Sequence, residues 1–235
     1  DKAKFPRDKA CGDGISGKSL TALQELGIDL KLEKAKHKKI YGVIFSSPNG
    51  KVIEIPVKQE GEYAGYDCRR FVYDNILFQH AKELVETVEG FNVTGVVKEG
   101  NQVVGIKGID GNKKEKIYRA KIVVGADGAN SVVAQSLGLH RVDPKHHISA
   151  LRIYYKNIKD MKDMIELHFT SSIIPGYFWI FPLEDNIANV GIGITNPTGL
   201  LHVGSSTVTP PLYITSLTGN VGIGTTTSNA SLSVA

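Results

Sequence analysis

The chain has 235 residues, of which 41% are hydrophobic and 22% charged, with a formal net charge of +4, a balance typical of a globular protein with one large core or two smaller ones. Its lysines form no basic patch with stacking aromatic residues, which excludes a nucleic-acid surface, and no run approaches the roughly 20 apolar residues of a transmembrane helix. Cys11 and Cys68 have neither metal-ligand spacing nor the density of a disulfide scaffold, so we expect no metal site and a reducing, cytoplasmic setting.

The first part of the chain predicts mixed helices and strands. A helix is expected to begin at the N-cap Ser16, to continue through leucines at helical spacing and to end at Gly27. Two strands, 40–46 and 51–57, flank a Pro-Asn-Gly turn, and a longer amphipathic helix follows at 71–85.

More strands follow this helix. Two glycine turns separate the segments of a three-stranded meander at 92–98, 103–109 and 114–119. A short apolar strand at 121–124 then leads through a glycine turn into a helix at 129–137.

The next four segments suit a separate sheet. They are 147–158, 164–169, 177–181 and 187–194. The predicted fold class is therefore α/β, in the α+β sense of a mixed domain followed by a β-sheet domain.

The end of the chain has a different composition. Asp185 is the last charged residue, and the string at 189–195 recurs at 220–226, a period of 31 residues. Such a period is typical of stacked supersecondary units, of which three or more are normally needed for an independent fold. We therefore expect 194–235 to be an uncharged, β-prone tail, extended or poorly ordered apart from short hairpins.

The glycine turn after the apolar strand is the first candidate site. It reads Gly125-Ala126-Asp127-Gly128 and is followed by Ser131. Ligands bind at the carboxyl ends of strands beside helix N-termini, and Asp127 can accept a hydrogen bond from a ribose or ribitol hydroxyl. Asp127 can equally hold the turn through local hydrogen bonds, and the residues alone leave both interpretations open.

A second candidate is the loop before the first helix. Gly12 and Gly14 would expose backbone N–H groups there, which suits an anion or the edge of a flavin, although a simple turn would look the same. Arg70 opens the long helix, where it could contact a ligand or be balanced by Asp74 one turn later.

The third candidate is a strand of alternating aromatic residues. Tyr177, Trp179 and Phe181 should lie on one face of it and line a pocket against the sheet that carries 148–155. Such a face is an apolar wall suited to a long hydrocarbon, or simply the core face of a sheet.

These strings, in this order, resemble the geranylgeranyl reductase family over residues 1–193. The Gly-Ala-Asp-Gly-x-x-Ser string is similar to the second cofactor fingerprint of the flavoprotein hydroxylase superfamily. The Cys-Gly-Asp loop and the helix-opening Arg resemble elements that lie near the flavin. The string aromatic-x-Trp-x-Phe-Pro, followed by Gly-x-Gly, resembles the family signature.

The resemblance implies a partial FAD-binding, Rossmann-like domain at 1–145, with inserted strands near 40–67, and a partial substrate-binding sheet at 146–193. It implies non-covalent FAD and reduction of isolated double bonds in an isoprenoid or prenylated lipid, with peripheral membrane contact for substrate access. A related monooxygenase or halogenase is the nearer enzymatic alternative. The residues implied to bind cofactor are Gly12, Asp13, Gly14, Arg70, Gly125, Asp127, Gly128 and Ser131. Those implied to bind substrate are Pro175, Tyr177, Trp179, Phe181, Pro182, Gly191 and Gly193, with Cys11 as the candidate proton donor.

The chain also departs from the family pattern. Ala134 stands where the second fingerprint usually closes with an Arg. A Gly-x-Gly-x-x-Gly loop after a first strand is expected to lie before Asp1, and a third, Gly-Asp fingerprint has no counterpart after Gly193. We therefore expect this chain to bind FAD weakly or not at all and to be inactive by itself.

The tail resembles the Asn-Val-Gly-Ile-Gly-Thr-Thr repeats of phage tail-fibre and bacterial surface proteins. The string at 189–193 satisfies both families, which suggests a chimera joined at this point. A non-catalytic structural or adhesive β protein is the alternative from a different functional class.

Overall fold

The computed structural model describes residues 1–57, 63–141, 143, 146 and 148–195, together with four short strands farther along the chain. The helices are α1 (Gly17–Glu25), α2 (Asp29–Glu33), α3 (Arg70–Leu84) and α4 (Val132–Ser136). The strands up to residue 119 are β1 (Gly14–Ser16), β2 (Lys38–Ile40), β3 (Gly42–Ser46), β4 (Val52–Pro56), β5 (Gly65–Asp67), β6 (Asn92–Glu99), β7 (Gln102–Ile109) and β8 (Glu115–Arg119). The later strands of the main body are β9 (Ile148–Lys156), β10 (Ile165–His168), β11 (Tyr177–Pro182) and β12 (Ile187–Thr195).

Helices α1 to α3 pack with a small sheet of order β1-β5-β2. Ser16 occupies the N-cap of α1 as predicted, although its side chain makes no capping hydrogen bond, and Gly27 follows the C-cap of α1 with a φ of +68°. The apolar side chains of this unit form one buried cluster, which consists of Ile15, Leu23, Ile28, Leu32, Tyr66 and Cys68. This cluster holds the end of the loop that precedes β1, because Ile15 of β1 is one of its members.

A six-stranded sheet of order β4-β3-β10-β11-β12-β9 forms the second unit. Its strands pair antiparallel except for β3 and β10, which are parallel. The hairpin of β3 and β4 therefore joins the same sheet as the four later strands. The domain boundary predicted at residue 146 would therefore separate strands of one sheet, with β3 and β4 before it and β9 to β12 after it. The division into domains remains a prediction.

The meander of β6, β7 and β8 is confirmed, but the strand predicted at 121–124 is wrong. Ile122 and Val124 are 80% and 81% exposed, and no strand is formed there. An apolar strand of this kind needs neighbours that pair with it and cover its side chains, and no described segment does so. The helix predicted at 129–137 is shorter, because α4 begins only at Val132.

Four short strands are described in the tail. Leu201–His202, Tyr213–Ile214, Val221–Ile223 and Leu232–Val234 form a separate sheet in chain order, with the last pair parallel. The rest of the predicted tail lies outside the described residues, and the fusion itself remains a prediction. Within the described part of the chain, no helix has the length and apolar character needed to cross a membrane.

Candidate functional site

A cleft of about 290 Å³ lies between the loop before β1 and the six-stranded sheet. Cys11 and Gly12 form one side of it, whereas Leu151 of β9 and the Tyr177 and Trp179 side chains of β11 belong to the other. The structure thus brings two of the three predicted motifs together. Pro175 and Gly193 also line the cleft, while Pro182 is buried away from it.

The aromatic residues of β11 follow the predicted arrangement. The ring centroids of Tyr177 and Trp179 are 6.0 Å apart and those of Trp179 and Phe181 are 6.4 Å apart, which confirms that the three rings share one face. Phe181 has a different neighbour, however, because a Cβ added at Gly12 would lie 2.9 Å from its ring. Phe181 therefore supports the loop from below, while the other two rings face the cleft.

Gly191 is required by the position of the indole. A Cβ at this residue would lie 2.0 Å from the Trp179 ring, so no larger residue fits unless the ring moves. Gly193 has more room, since its added Cβ would be 3.8 Å from Ile148. Packing of the Trp179 ring therefore explains the first glycine of the Gly-x-Gly string.

A buried polar network connects the loop to the sheet. Trp179 Nε1 donates to Asn189 Oδ1 at 3.0 Å, and Asn189 Nδ2 donates to the Cys11 carbonyl at 2.7 Å and to Asp13 Oδ2 at 2.8 Å. Tyr154 Oη donates to the same carboxylate oxygen at 2.7 Å. Sequence reasoning missed Asn189 and Tyr154. The available signal was an amide within an apolar strand, at a position that must be buried.

Asp13 is the centre of this network. It is 1% exposed and has a φ of +70°, and its Oδ1 accepts from the Arg70 backbone N–H at 3.3 Å. Burial raises the pKa of Asp13, while the hydrogen bonds from Tyr154 and Asn189 act in the opposite direction. The predicted cofactor residue therefore has an evident structural role, which is to hold its own loop.

Arg152 closes one end of the cleft. Its Nη2 donates to both carboxylate oxygens of Asp8, at 2.7 and 2.6 Å, and its guanidinium carbon lies 4.2 Å from the centroid of the Tyr154 ring. Its Nε is buried and has no hydrogen-bond partner among the described residues. Arg152 was not among the residues predicted from the sequence. It places a cationic hydrogen-bond donor beside an otherwise apolar cleft.

Arg70 has its partner within the helix. Its Nε and Nη2 donate to the two oxygens of Asp74 at 2.5 and 2.7 Å, and Arg7 Nη1 donates to the same carboxylate at 2.5 Å. The hydrogen bonds to Asp74 are the largest cause of the raised pKa of Arg70. Of the two interpretations left open by the sequence, this geometry favours a helix-start arginine balanced one turn later.

Asp127 holds its turn through local hydrogen bonds. Its carboxylate accepts from Ser131 Oγ and from the backbone N–H groups of Val132 and Val133, the latter two at 2.6 and 3.2 Å. Ser131 Oγ in turn accepts from the Ala134 N–H at 3.0 Å. The Ser131 hydrogen bond is the largest cause of the lowered pKa of Asp127. None of 125–131 lines the cleft described above.

We expect Asp127→Ala to destabilise the folded chain by about 1 kcal/mol, because two first-turn N–H groups of α4 lose their acceptor. Urea unfolding followed by far-UV circular dichroism measures this change. Asn130→Ala is the matched control, since it alters the same turn without removing an acceptor from α4. Equal stability of the two variants would contradict the capping role.

The spacing Gly-x-Gly-x-x-Gly does occur at 12–17, although the sequence analysis did not identify it. Its structural context is not that of a dinucleotide-binding loop, in which the glycines follow a strand and open a helix. No strand precedes Gly12, and Gly14–Ser16 is itself a strand paired with β5. The backbone groups of 14–16 therefore hydrogen-bond within a sheet, and of the three glycines of this string only Gly12 lines the cleft.

Comparison with known proteins decides the family. The model of the FAD binding domain family matches residues 1–174, which is most of the chain. The chain belongs to the FAD binding domain family. A second model, the geranylgeranyl reductase catalytic domain, matches residues 147–202, the part that contains the aromatic strand.

Several curated relatives are similar to this chain. A digeranylgeranylglycerophospholipid reductase of Methanosarcina acetivorans is 32% identical over 80% of this chain and 46% of its own length. One from Methanopyrus kandleri is also 32% identical, over 82% of this chain and 49% of its own length. The chain thus spans about half the length of the curated relatives it matches.

Several solved structures have a similar fold. A geranylgeranyl bacteriochlorophyll reductase-like protein from Thermoplasma acidophilum has a TM-score of 0.72 and 28% identity, over 83% of this chain and 49% of that one. A myxobacterial FAD-dependent halogenase has a TM-score of 0.68 at 21% identity, over 83% and 46%, a likeness of fold alone. These neighbours confirm the predicted mixed α/β fold.

The cofactor of the FAD binding domain family can be tested against the residues present. The loop at Cys11 and Gly12 and the unpaired Nε of Arg152 fit one end of a flavin, which needs an apolar surface and a few polar donors. The Asp127 turn fits it less well, because both carboxylate oxygens already accept bonds from their own turn. A flavin therefore fits the residues of the cleft better than those of the Asp127 turn.

Proposed function

We propose that this chain forms part of a flavin-dependent reductase that saturates double bonds of an isoprenoid chain. The observation that carries the proposal is the cleft, in which a loop suited to a flavin faces the rings of Tyr177 and Trp179. When bound, reduced FAD supplies a hydride to one alkene carbon. The relatives named above are digeranylgeranylglycerophospholipid reductases, which supports a geranylgeranyl-type lipid as the substrate class.

The residues of the chain would orient and shield the reacting double bond. Tyr177 and Trp179 offer an apolar aromatic surface to the hydrocarbon, and Leu151 and Ile148 of β9 extend the same side of the cleft and help to exclude water. The Cys11 thiol lies beside the cleft and is our candidate to deliver a proton to the second alkene carbon. Burial raises the pKa of Cys68 to about 12, so this second thiol stays protonated in the core.

The outer edge of the six-stranded sheet supports peripheral membrane contact. β4 is exposed along its whole length, including Val52, Ile53 and Ile55. Lys51 precedes these apolar residues and is itself exposed. Glu54 in the middle of β4 is paired with Lys162. The exposed apolar residues beside Lys51 suit the boundary of a lipid surface, from which a prenylated lipid would enter the cleft.

Trp179 provides a direct test, because it is the single tryptophan of the chain. We expect a soluble geranylgeranyl lipid to change its emission saturably, and a small substituted pyrrole, as a halogenase-type ligand, to have no effect. Tyr177→Ser should weaken lipid binding about tenfold through lost apolar contact. Tyr118→Ser is the matched control, since Tyr118 is 36% exposed and Tyr177 is 39% exposed. Saturable pyrrole binding without lipid binding would contradict the proposal.

For the cofactor we expect weak binding, with a dissociation constant for FAD above about 1 μM, because the described residues that line the cleft include no phosphate-binding glycine loop, and each charge-assisted phosphate contact that is not made forfeits about 1.5–3 kcal/mol. For the same reason riboflavin, which has no phosphate, should bind almost as well as FAD. Quenching of Trp179 emission measures both constants. A submicromolar constant for FAD together with much weaker riboflavin binding would show a phosphate site and contradict this expectation.

A further inference from the structure

Asn189 hydrogen-bonds both the loop before β1 and the indole of Trp179. It is fully buried in β12, its Oδ1 accepts from Trp179, and its Nδ2 donates both to the Cys11 carbonyl and to the Asp13 carboxylate. Both amide N–H groups thus donate to the loop, and the amide oxygen accepts from Trp179 on the aromatic strand β11, which we call the wall. The reverse orientation of the amide would place N–H against N–H and oxygen against two oxygens, so only one orientation is compatible with these neighbours.

We propose that Asn189 is a positioning residue that sets the separation between the Cys11 loop and the Trp179 ring, and thereby the width of the cleft. The inference rests on the proposed function only in assigning flavin to the loop and hydrocarbon to the ring. A side-chain amide has a fixed length, and both of its ends are hydrogen-bonded in a buried site where unmade bonds are costly. The loop and the wall therefore cannot move apart without breaking at least one of these bonds.

Asn189→Asp tests the contact with the loop separately from the contact with Trp179. The introduced carboxylate can still accept from Trp179 Nε1, but it can no longer donate to the loop and it faces the Asp13 carboxylate. We expect the rate of Cys11 alkylation by iodoacetamide to rise about tenfold, because the loop loses both donors. Cys68 is fully buried and does not contribute to this rate. Acrylamide quenching of Trp179 should stay within about twofold of the original value, since its own acceptor remains.

Three further variants complete the experiment. Asn101→Asp introduces the same charge in an exposed turn and should leave the alkylation rate unchanged. Trp179→Phe removes the hydrogen bond to Asn189 Oδ1 while the loop keeps both of its donors, so the rate should change by no more than about twofold. Combining Asp13→Asn with Asn189→Asp restores a donor–acceptor pair between residues 13 and 189 but leaves the Cys11 carbonyl without its donor. It should therefore bring the alkylation rate part of the way back, which a general loss of stability would not allow.

The proposal is overturned if Asn189→Asp leaves the alkylation rate within twofold of the unmodified chain, or if the double variant shows no rescue. Asn189→Ser provides a second, uncharged test if the aspartate variant does not fold, with the same expected rise. If neither single variant folds, Asn189 is a residue of the folding core and the proposal is equally lost. These readouts need neither flavin nor lipid, so they are independent of whether the proposed function holds.

Discussion

Gly191→Ala is expected to destabilise the folded chain by about 3 kcal/mol, at the upper end of the usual cost of overpacking a core. The added Cβ would lie 2.0 Å from the Trp179 ring, so the indole must leave its place. Its hydrogen bond to Asn189 would then break, which adds the cost of an unsatisfied buried group. Urea unfolding measures the loss, and a red shift of the Trp179 emission reports the displaced ring.

Gly193→Ala is the matched control for this experiment. It makes the same chemical change two residues away on the same strand, where the added Cβ would meet Ile148 at 3.8 Å and the Trp179 ring at 3.9 Å. We expect a change below about 1 kcal/mol, since both distances are ordinary van der Waals contacts. If the two variants were equally stable, the position of the Trp179 ring over Gly191 would be wrong.

Asp67→Asn and Asp13→Asn are expected to change stability in opposite directions, although both residues are 1% exposed. Asp67 Oδ2 is buried without a hydrogen-bond partner, so making the group neutral should stabilise the chain by about 1–3 kcal/mol at neutral pH. Asp13 accepts three hydrogen bonds, and an amide would present N–H groups to donors there. We expect Asp13→Asn to destabilise by a similar amount.

The Asp67 effect should depend on pH. Burial, followed by the charges of Asp13 and Glu184, raises the pKa of Asp67 well above its ordinary value. Between the unfolded and the folded pKa the folded state holds more protons, so its stability falls as pH rises through this interval. The advantage of Asp67→Asn should therefore vanish below about pH 4, where both states are protonated, and grow toward neutral pH. Unfolding curves at several pH values measure it, and an advantage that is independent of pH would contradict the assignment.

The sequence predicted those parts of the molecule that depend on local pattern. The alternation of Tyr177, Trp179 and Phe181 determined their common face, and the turns of the meander determined its strands. Residues that act across the fold could not be found in this way. Asn189 meets Asp13 only because β12 passes beneath a loop from the start of the chain, and no local spacing encodes that meeting.

The errors have a physical cause as well. The apolar run at 121–124 has the composition of a buried strand, but composition cannot supply the neighbouring strands that such a segment needs. Asp127 fits a cofactor fingerprint by sequence, while its two oxygens accept bonds from its own turn. A short polar side chain beside a helix start satisfies both descriptions, and only the contacts distinguish them.

The parallel pairing of β3 with β10 has a consequence for how the chain folds. The two strands are separated in the chain by α3 and by the whole meander, so the sheet beneath the cleft depends on a contact between distant segments. Such contacts form slowly, because the entropy of closing a long loop is lost before pairing compensates for it. Until β3 arrives, β10 presents an unpaired edge on which another chain could assemble. The β3–β4 edge of the six-stranded sheet should therefore be among the last parts of the molecule to form, and a chain in which the β10 edge is still open would be the state most prone to aggregate.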